Sequence, residues 1–157
     1  MVSRPERVYR VASLKFPILD GRGAFLRGGR WNSPGHRVIY ASETFPGALL
    51  EVLAHTRIGK LPPSHAWIEI AIPAGVSIEF VADGKVRGWD KPESRAARRF
   101  GDRWFDEGRS LILVVPSLAA SGLARNLAIN QDHPEFGSLT ATRPRPVRWD
   151  PRLFGGR

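Results

Sequence analysis

Glycine and proline interrupt this chain so often that no long regular element can run through it. Sixteen glycines and 13 prolines are spread over 157 residues, and both residue types break helices and strands. The chain must therefore fold as short elements joined by many loops. At this length one domain spanning 1–157 can bury a core without staples, and no linker or internal repeat divides it.

Within that limit the apolar pattern places the elements. Glu6–Ala12 alternates through Val8, Tyr9 and Val11 and reads as a first strand, whereas the Gly-rich stretch Pro17–Gly29 reads as a loop. Val38–Ala41 is a second strand. Ser42 or Thr44 can cap a helix that runs to about Arg57, with Phe45, Leu49, Val52, Leu53 and Thr56 on one face. Ala66–Ile72 alternates as a half-buried strand, and Val76–Val81 reads the same way. Pro92–Glu107 reads as an amphipathic helix with Ala96, Phe100 and Trp104 inward and Ala97 beside them, stopped by Gly108. Leu111–Val115 is five apolar residues in a row, as expected of a central strand buried on both faces. Leu123–Ile129 adds another strand, and beyond Pro144 only Val147–Trp149 reads as extended. Strands outnumber helices without a regular βαβ repeat. The pattern predicts an α+β fold, a mixed or mostly antiparallel sheet with a few flanking helices.

Composition removes several function classes. There is no cysteine, so disulfides, thiolate metal sites and a cysteine nucleophile are excluded. Met1–Arg10 is polar and basic with no apolar run behind it, and no stretch approaches the roughly 18 apolar residues of a membrane helix. The expected compartment is the cytoplasm. The formal charge is +9, from 24 basic and 15 acidic residues. A surface that attracts polyanions or an acidic partner would explain this, as would a codon pool that favours arginine. The basic residues are dispersed. Their densest groups are Arg95, Arg98, Arg99 and Arg103 at helical spacing, then Arg143, Arg145 and Arg148.

Common catalytic motifs are absent. No Gly-x-x-x-x-Gly-Lys loop occurs, and Gly21-Arg22-Gly23 lacks the flanking strand, third glycine and helix of a dinucleotide fold. The histidines His36, His55, His65 and His133 have no metal-ligand spacing, so no metal is expected. Glu51 lies away from the apolar face of its helix, at roughly 100° of rotation per residue. Helical geometry alone therefore makes it a solvated glutamate. Trp31 and Tyr40, taken singly, are ordinary core or surface aromatics.

Several segments together say more. Gly28-Gly29-Arg30-Trp31-Asn32 is followed by Val38-Ile39-Tyr40-Ala41-Ser42 and by Ala48-Leu49-Leu50-Glu51-Val52-Leu53-Ala54-His55. Val114-Val115-Pro116-Ser117, Asn126, Asn130 with His133-Pro134, and Trp149-Asp150-Pro151-Arg152-Leu153-Phe154 come after them. In this order the set closely resembles the RES domain, a family named for its Arg, Glu and Ser. The resemblance implies a fold related to ADP-ribosyltransferases and cleavage of NAD+ between nicotinamide and ribose. It implies a toxin paired with a Xre-type helix-turn-helix antitoxin. The functional positions would fall on Arg30, Tyr40, Glu51 and Ser117, with Asn126 among the groups that contact NAD+. NAD+ would be a substrate, with no separate cofactor. Where the family often has proline this chain has Gln131, within a turn, Asn130–Pro134, whose side chains should bond the backbone.

These residue types suit that reaction. Nicotinamide is already a cationic leaving group, so its departure needs no general acid, and the ribose becomes oxocarbenium-like. A fixed carboxylate at position 51 would stabilise that charge. Arg30, after two glycines, could grip the diphosphate through bidentate bonds. Tyr40 could stack on the nicotinamide or wall the pocket. Ser117 follows an apolar strand and so should lie at a sheet edge. Its hydroxyl could bond a ribose or the nicotinamide amide, and no paired histidine makes it a nucleophile. The acceptor stays open: water or phosphate would make a glycohydrolase or phosphorylase, a protein side chain an ADP-ribosyltransferase. The +9 charge also admits a nucleic-acid-binding module or ribonuclease, although aromatics do not interleave with the basic residues. A non-enzymatic, degenerate domain is the remaining alternative.

Overall fold

The computed structural model describes residues 2–56 and 64–155. Its elements, in chain order, are β1 (Arg7–Ser13), α1 (Arg22–Arg27), β2 (Val38–Ser42), α2 (Phe45–His55), β3 (His65–Ala71), β4 (Ile78–Phe80), α3 (Arg95–Asp106), β5 (Ile112–Pro116), β6 (Arg125–Asn130), β7 (Thr140–Ala141) and β8 (Arg145–Pro146). Short 3-10 turns cover Pro134–Ser138 and Pro151–Phe154. The strands form one sheet in the order β4-β5-β6-β2-β1-β3-β7, with β8 also on β3. Among the described residues only the β4–β5 pair is parallel, and its strands are joined through α3. A parallel pair needs such a long crossover. The fold is thus α+β with a mixed, mostly antiparallel sheet, as the pattern predicts.

Alternation along the strands sorts the core into two layers. Ile39 and Ala41 of β2, Leu127 and Ile129 of β6, and Ile112 and Val114 of β5 face one side, with Val8, Ile68 and Ile70. Val38, Leu113, Val115 and Ala128 face the other, under Trp31, Trp89, Ala97 and Trp104. β5 is buried along its whole length. It lies one strand in from the β4 edge rather than at the centre. Trp104 is fully buried, and its indole donates to the Ser110 hydroxyl at 2.7 Å, so its one polar atom is satisfied.

Several local expectations change. The Gly-rich stretch read as a loop contains α1. Gly21 presses against the next strand, where any Cβ would stand 2.7 Å from the Arg37 carbonyl carbon. Asp20 accepts the Arg22 N–H at 2.8 Å, and Gly28 ends the helix at φ 78°. Helix α2 is capped by Thr44, whose side chain accepts from Gly47, and it ends at His55; Arg57 lies outside the described residues. β4 is shorter than Val76–Val81. The inward face of α3 is Ala97, Gly101 and Trp104, with Phe100 only partly buried and Ala96 at its margin. The pattern is rotated because Gly101 allows contact with a backbone: a Cβ there would lie 1.7 Å from the Trp31 carbonyl oxygen. Leu123 stands out of the sheet, 91% exposed. In the tail the extended pair is Arg145–Pro146, not Val147–Trp149. The Asn130–Pro134 turn does bond its own backbone, with Asn130 Oδ1 accepting from Asp132 and His133 Nδ1 from Glu135. Gln131 adds two bonds, donating its N–H to Arg37 O and accepting the Gly21 N–H. Proline could not make the first. Among the described residues no helix is long and apolar enough to cross a membrane.

Candidate active site

The site grows from the ends of three strands. In the sheet Ser42 lies opposite Asn126, and Asn126 opposite Val115. By alternation Ser42, Asn126 and Ser117 share the sheet face that carries Tyr40 and the tryptophan layer. Helix α2 packs on the same face over β1 and β2: its Phe45 meets Tyr9 and Trp67 edge to face, with ring centroids 6.1 and 5.2 Å apart. No residue of α2 belongs to the tryptophan layer. Two separate bodies therefore cover one sheet face, and the polar residues emerge between them.

Glu51 is half-buried there. Its Oε1 accepts a hydrogen bond from Ser117 Oγ and another from Asn126 Nδ2, each at 2.8 Å. Asn126 is held in turn by Ser42, whose hydroxyl donates to Asn126 Oδ1 at 2.8 Å. Ser42 and Ser117 are almost wholly buried, at 3% and 4% exposed. Ser117 Oγ also accepts the Ala120 N–H at 3.3 Å, which ties it into the loop between β5 and β6. Among the described residues Glu51 Oε2 accepts no hydrogen bond. Helical geometry turns Glu51 outward from the apolar stripe. The residue buried on α2 is Ala48, one turn before it, so the helix rests on a small-residue side that brings Glu51 down to the sheet.

Tyr40 lies two residues before Ser42 on β2. Its hydroxyl donates to Asn32 Oδ1 at 2.7 Å and accepts the Trp31 N–H at 3.0 Å. Burial pushes this phenol well above its ordinary range. The Trp31 N–H, Arg98 and Arg30 work against burial, while Asp102 adds to it. Tyr40 is thus a neutral strut with its hydroxyl engaged and its ring packed at the edge of the tryptophan layer. Gly29 lies against that ring, where a Cβ would come within 2.6 Å of Cε2. Arg30 follows directly. Its Nη1 donates to the carbonyls of Trp89 and Lys91, each at 3.0 Å, and it makes no ion pair among the described residues.

Of the residues singled out in the sequence, Glu51, Ser117 and Asn126 form one hydrogen-bonded set. Arg30 and Tyr40 form a neighbouring set along the same face, and no hydrogen bond or ion pair joins Arg30 to Glu51. The described residues also form open concavities away from these side chains' own contacts. One of about 730 Å³ is lined by Tyr9, Phe45, Trp67 and Arg148 at the start of α2. One of about 480 Å³ is lined by Ser33, Arg95, Arg98 and Arg99. Neither is lined by Glu51. Among the described residues no group of three or more His, Asp or Glu side chains could hold a metal ion.

Two participants escaped sequence reasoning. Ser42 was open to reading as a helix cap, and Thr44 takes that role. Arg10 sits inside a strand pattern with nothing to mark it. Its guanidinium lies deep in the fold, donating from Nε to Ile18 O at 2.6 Å and from Nη1 to Tyr40 O at 2.8 Å. Burial lowers its pKa to about 10, with Asp20 opposing that shift. β1 and β2 pair only at Tyr9 and Ser42, and Arg10 bridges the strands where they part. A lone arginine at a core-facing strand position was the available signal.

Comparison with known proteins bears on the family and the fold. Residues 7–150 match the family model described as RES domain. A Sphingobium sp. (strain YBL2) protein named Prs ADP-ribosylating toxin is 36% identical over 140 residues, covering 87% of this chain and 86% of that protein. A Yersinia enterocolitica protein named Toxin Res is 30% identical over 150 residues, covering 93% and 98%. In fold, the chain is similar to a protein in the crystal structure of the M. tuberculosis MbcT-MbcA toxin-antitoxin complex. The TM-score is 0.74 at 19% sequence identity, over 96% of this chain and 87% of that one.

Proposed function

The chain belongs to the RES-domain family, and on that premise we propose that it is the toxin of a toxin–antitoxin pair, cleaving the nicotinamide–ribose bond of NAD+. The observation that carries this reading is the state of Glu51. One carboxylate oxygen is fixed by two donors, Ser117 and Asn126, and the other is left for a ligand. As nicotinamide departs with the bonding pair, positive charge develops on the ribose, and a carboxylate that need not reorganise stabilises it. Water or phosphate then adds to the same carbon and gives up a proton. In this scheme Ser117 acts chiefly by positioning Glu51, since its hydrogen already points at the carboxylate. The Tyr40 ring walls the nicotinamide side. Arg30, held by two carbonyls through Nη1, presents its remaining N–H groups to the diphosphate.

The test is nicotinamide release from NAD+ by purified protein, with and without phosphate. Glu51→Gln should lower it by about 10²-fold or more, the scale for removing a transition-state electrostatic group. Equal rates for wild type and variant would refute the assignment.

A second acceptor has its own support. The Sphingobium relative is named for ADP-ribosylation, which would use the same bond cleavage with a protein side chain in place of water. Mass spectrometry of the products separates free ADP-ribose, ADP-ribose-1″-phosphate and a modified protein. The proposed partner is a Xre-type antitoxin that blocks the site. The +9 charge suits an acidic blocking segment, and action on NAD+ suits the cytoplasm.

A further inference from the structure

We propose that Ser42 is a positioning residue: its hydroxyl anchors the far end of the Asn126 carboxamide, and so holds the amide donor in place against Glu51. The inference rests on the reading of Glu51 as the reacting carboxylate. The two ends of a carboxamide are nearly equal in size and opposite in hydrogen-bonding sense, so its partners alone set its orientation. Asn126 Nδ2 donates to Glu51 Oε1 at 2.8 Å. Rotated by half a turn, the side chain would present Oδ1 to the carboxylate, losing a charge-assisted bond and placing acceptor on acceptor. The carboxylate, an acceptor only, rules that orientation out, and Ser42, whose Oγ donates to Asn126 Oδ1 at 2.8 Å, holds the other end of the amide still.

Three features hold the contact in place. Ser42 and Asn126 face each other in the β2–β6 register, so strand pairing fixes their spacing. Ser42 is 3% exposed, which keeps water from replacing the hydroxyl. It also lies beneath the first turn of α2: a Cβ on Gly47 would stand 3.4 Å from Ser42 Cβ. The other hydroxyl there, on Thr44, accepts the Gly47 N–H at 3.1 Å as the cap of α2. Among the described residues Ser42 is the one donor to Asn126 Oδ1. The relay runs one way, from Ser42 to Asn126 to Glu51, and Ser117 completes the grip from β5. Ser42 is placed behind Asn126, so its effect should fall on turnover more than on NAD+ binding.

The experiment is steady-state nicotinamide release by wild type, Glu51→Gln, Asn126→Ala, Ser42→Ala and the Ser42→Ala/Asn126→Ala double variant. Ser42→Ala should lower kcat about tenfold, the scale of one hydrogen bond to a charged network, with KM for NAD+ within about twofold. Added to Asn126→Ala, it should cost nothing further, because its role runs through that residue. A kcat within about twofold of wild type, or losses that multiply in the double variant, would overturn the proposal. If Ser42→Ala does not fold, Ser42→Thr and Ser42→Val make the comparison, being alike in shape and different in the donor. Thr should exceed Val by about tenfold, and equal rates would overturn the proposal. The side-chain amide resonances of Asn126 give a readout apart from turnover: they should shift in Ser42→Ala, and unmoved signals would count against it. If Glu51→Gln leaves release intact, the reading of Glu51 fails. If it abolishes release while Ser42→Ala does not, only the role of Ser42 fails.

Discussion

A carboxylate has more lone pairs than a site needs, and its neighbours decide which remain. At Glu51 that decision is made by Ser117 and Asn126, and the sequence hides it because the helix rule looks for apolar faces. Ala48 is too small to mark a face, yet its smallness lets α2 sit low on the sheet. The family, and with it the candidate Arg–Tyr–Glu–Ser set, was legible through the order of whole segments. The hydrogen bonds within it were not, since they depend on strand register. Tyr40 offers a separate check at this scale. Tyr40→Phe leaves the Trp31 N–H and Asn32 Oδ1 without the partner they share. Unpaired groups of this kind cost about 1–3 kcal/mol, so urea denaturation should show a loss of that size. An unchanged midpoint would mean the hydroxyl is not a strut.

Strands were the most readable elements, because alternation reports directly on a two-sided sheet. Helices were less so, each for a local reason. α1 escaped notice because three glycines mark the stretch as a loop: Gly21 and Gly28 flank the helix, where close approach and a positive φ call for them, and Gly23 lies inside it with open space around it. The inward face of α3 was misplaced by one residue because the decisive position, Gly101, has no side chain to count. That contact should be among the least tolerant in the molecule. Gly101→Ala drives a Cβ into the Trp31 carbonyl, and it should destabilise the fold by about 3 kcal/mol, the upper range for overpacking. Thermal melting of the variant checks this, and a wild-type melting temperature would contradict it. The Thr44 cap is milder: Thr44→Ala should cost about 1 kcal/mol, read as a small drop in the same transition.

Across the whole molecule, His36 joins Arg98 and Asp102 in tying the turn that carries Arg30 to α3. His36 bonds Ser33 O at 2.9 Å and Asp106 at 3.0 Å, with Asp102 3.4 Å away. Burial favours the neutral ring, but the Ser33 carbonyl and the two aspartates together outweigh it and raise the pKa above the ordinary 6.5. A raised pKa means the folded state holds the proton more tightly than the unfolded chain does. The stabilisation is complete below about pH 6.5 and is lost as pH climbs through the higher folded value. Urea midpoints measured from pH 5 to pH 8 should therefore fall across that window. His36→Gln should remove this fall, and a variant with the same pH dependence as wild type would exclude His36 as its source. The connection between β6 and its neighbours has a consequence for synthesis on the ribosome. β6 lies between β5 and β2, and Glu51 finds its partners 66 and 75 residues further along. Until residues 125–130 have emerged and slotted between those strands, a nascent chain has the carboxylate but nothing to aim it. If Glu51 is the reacting carboxylate proposed above, translation order itself keeps the half-made protein inert.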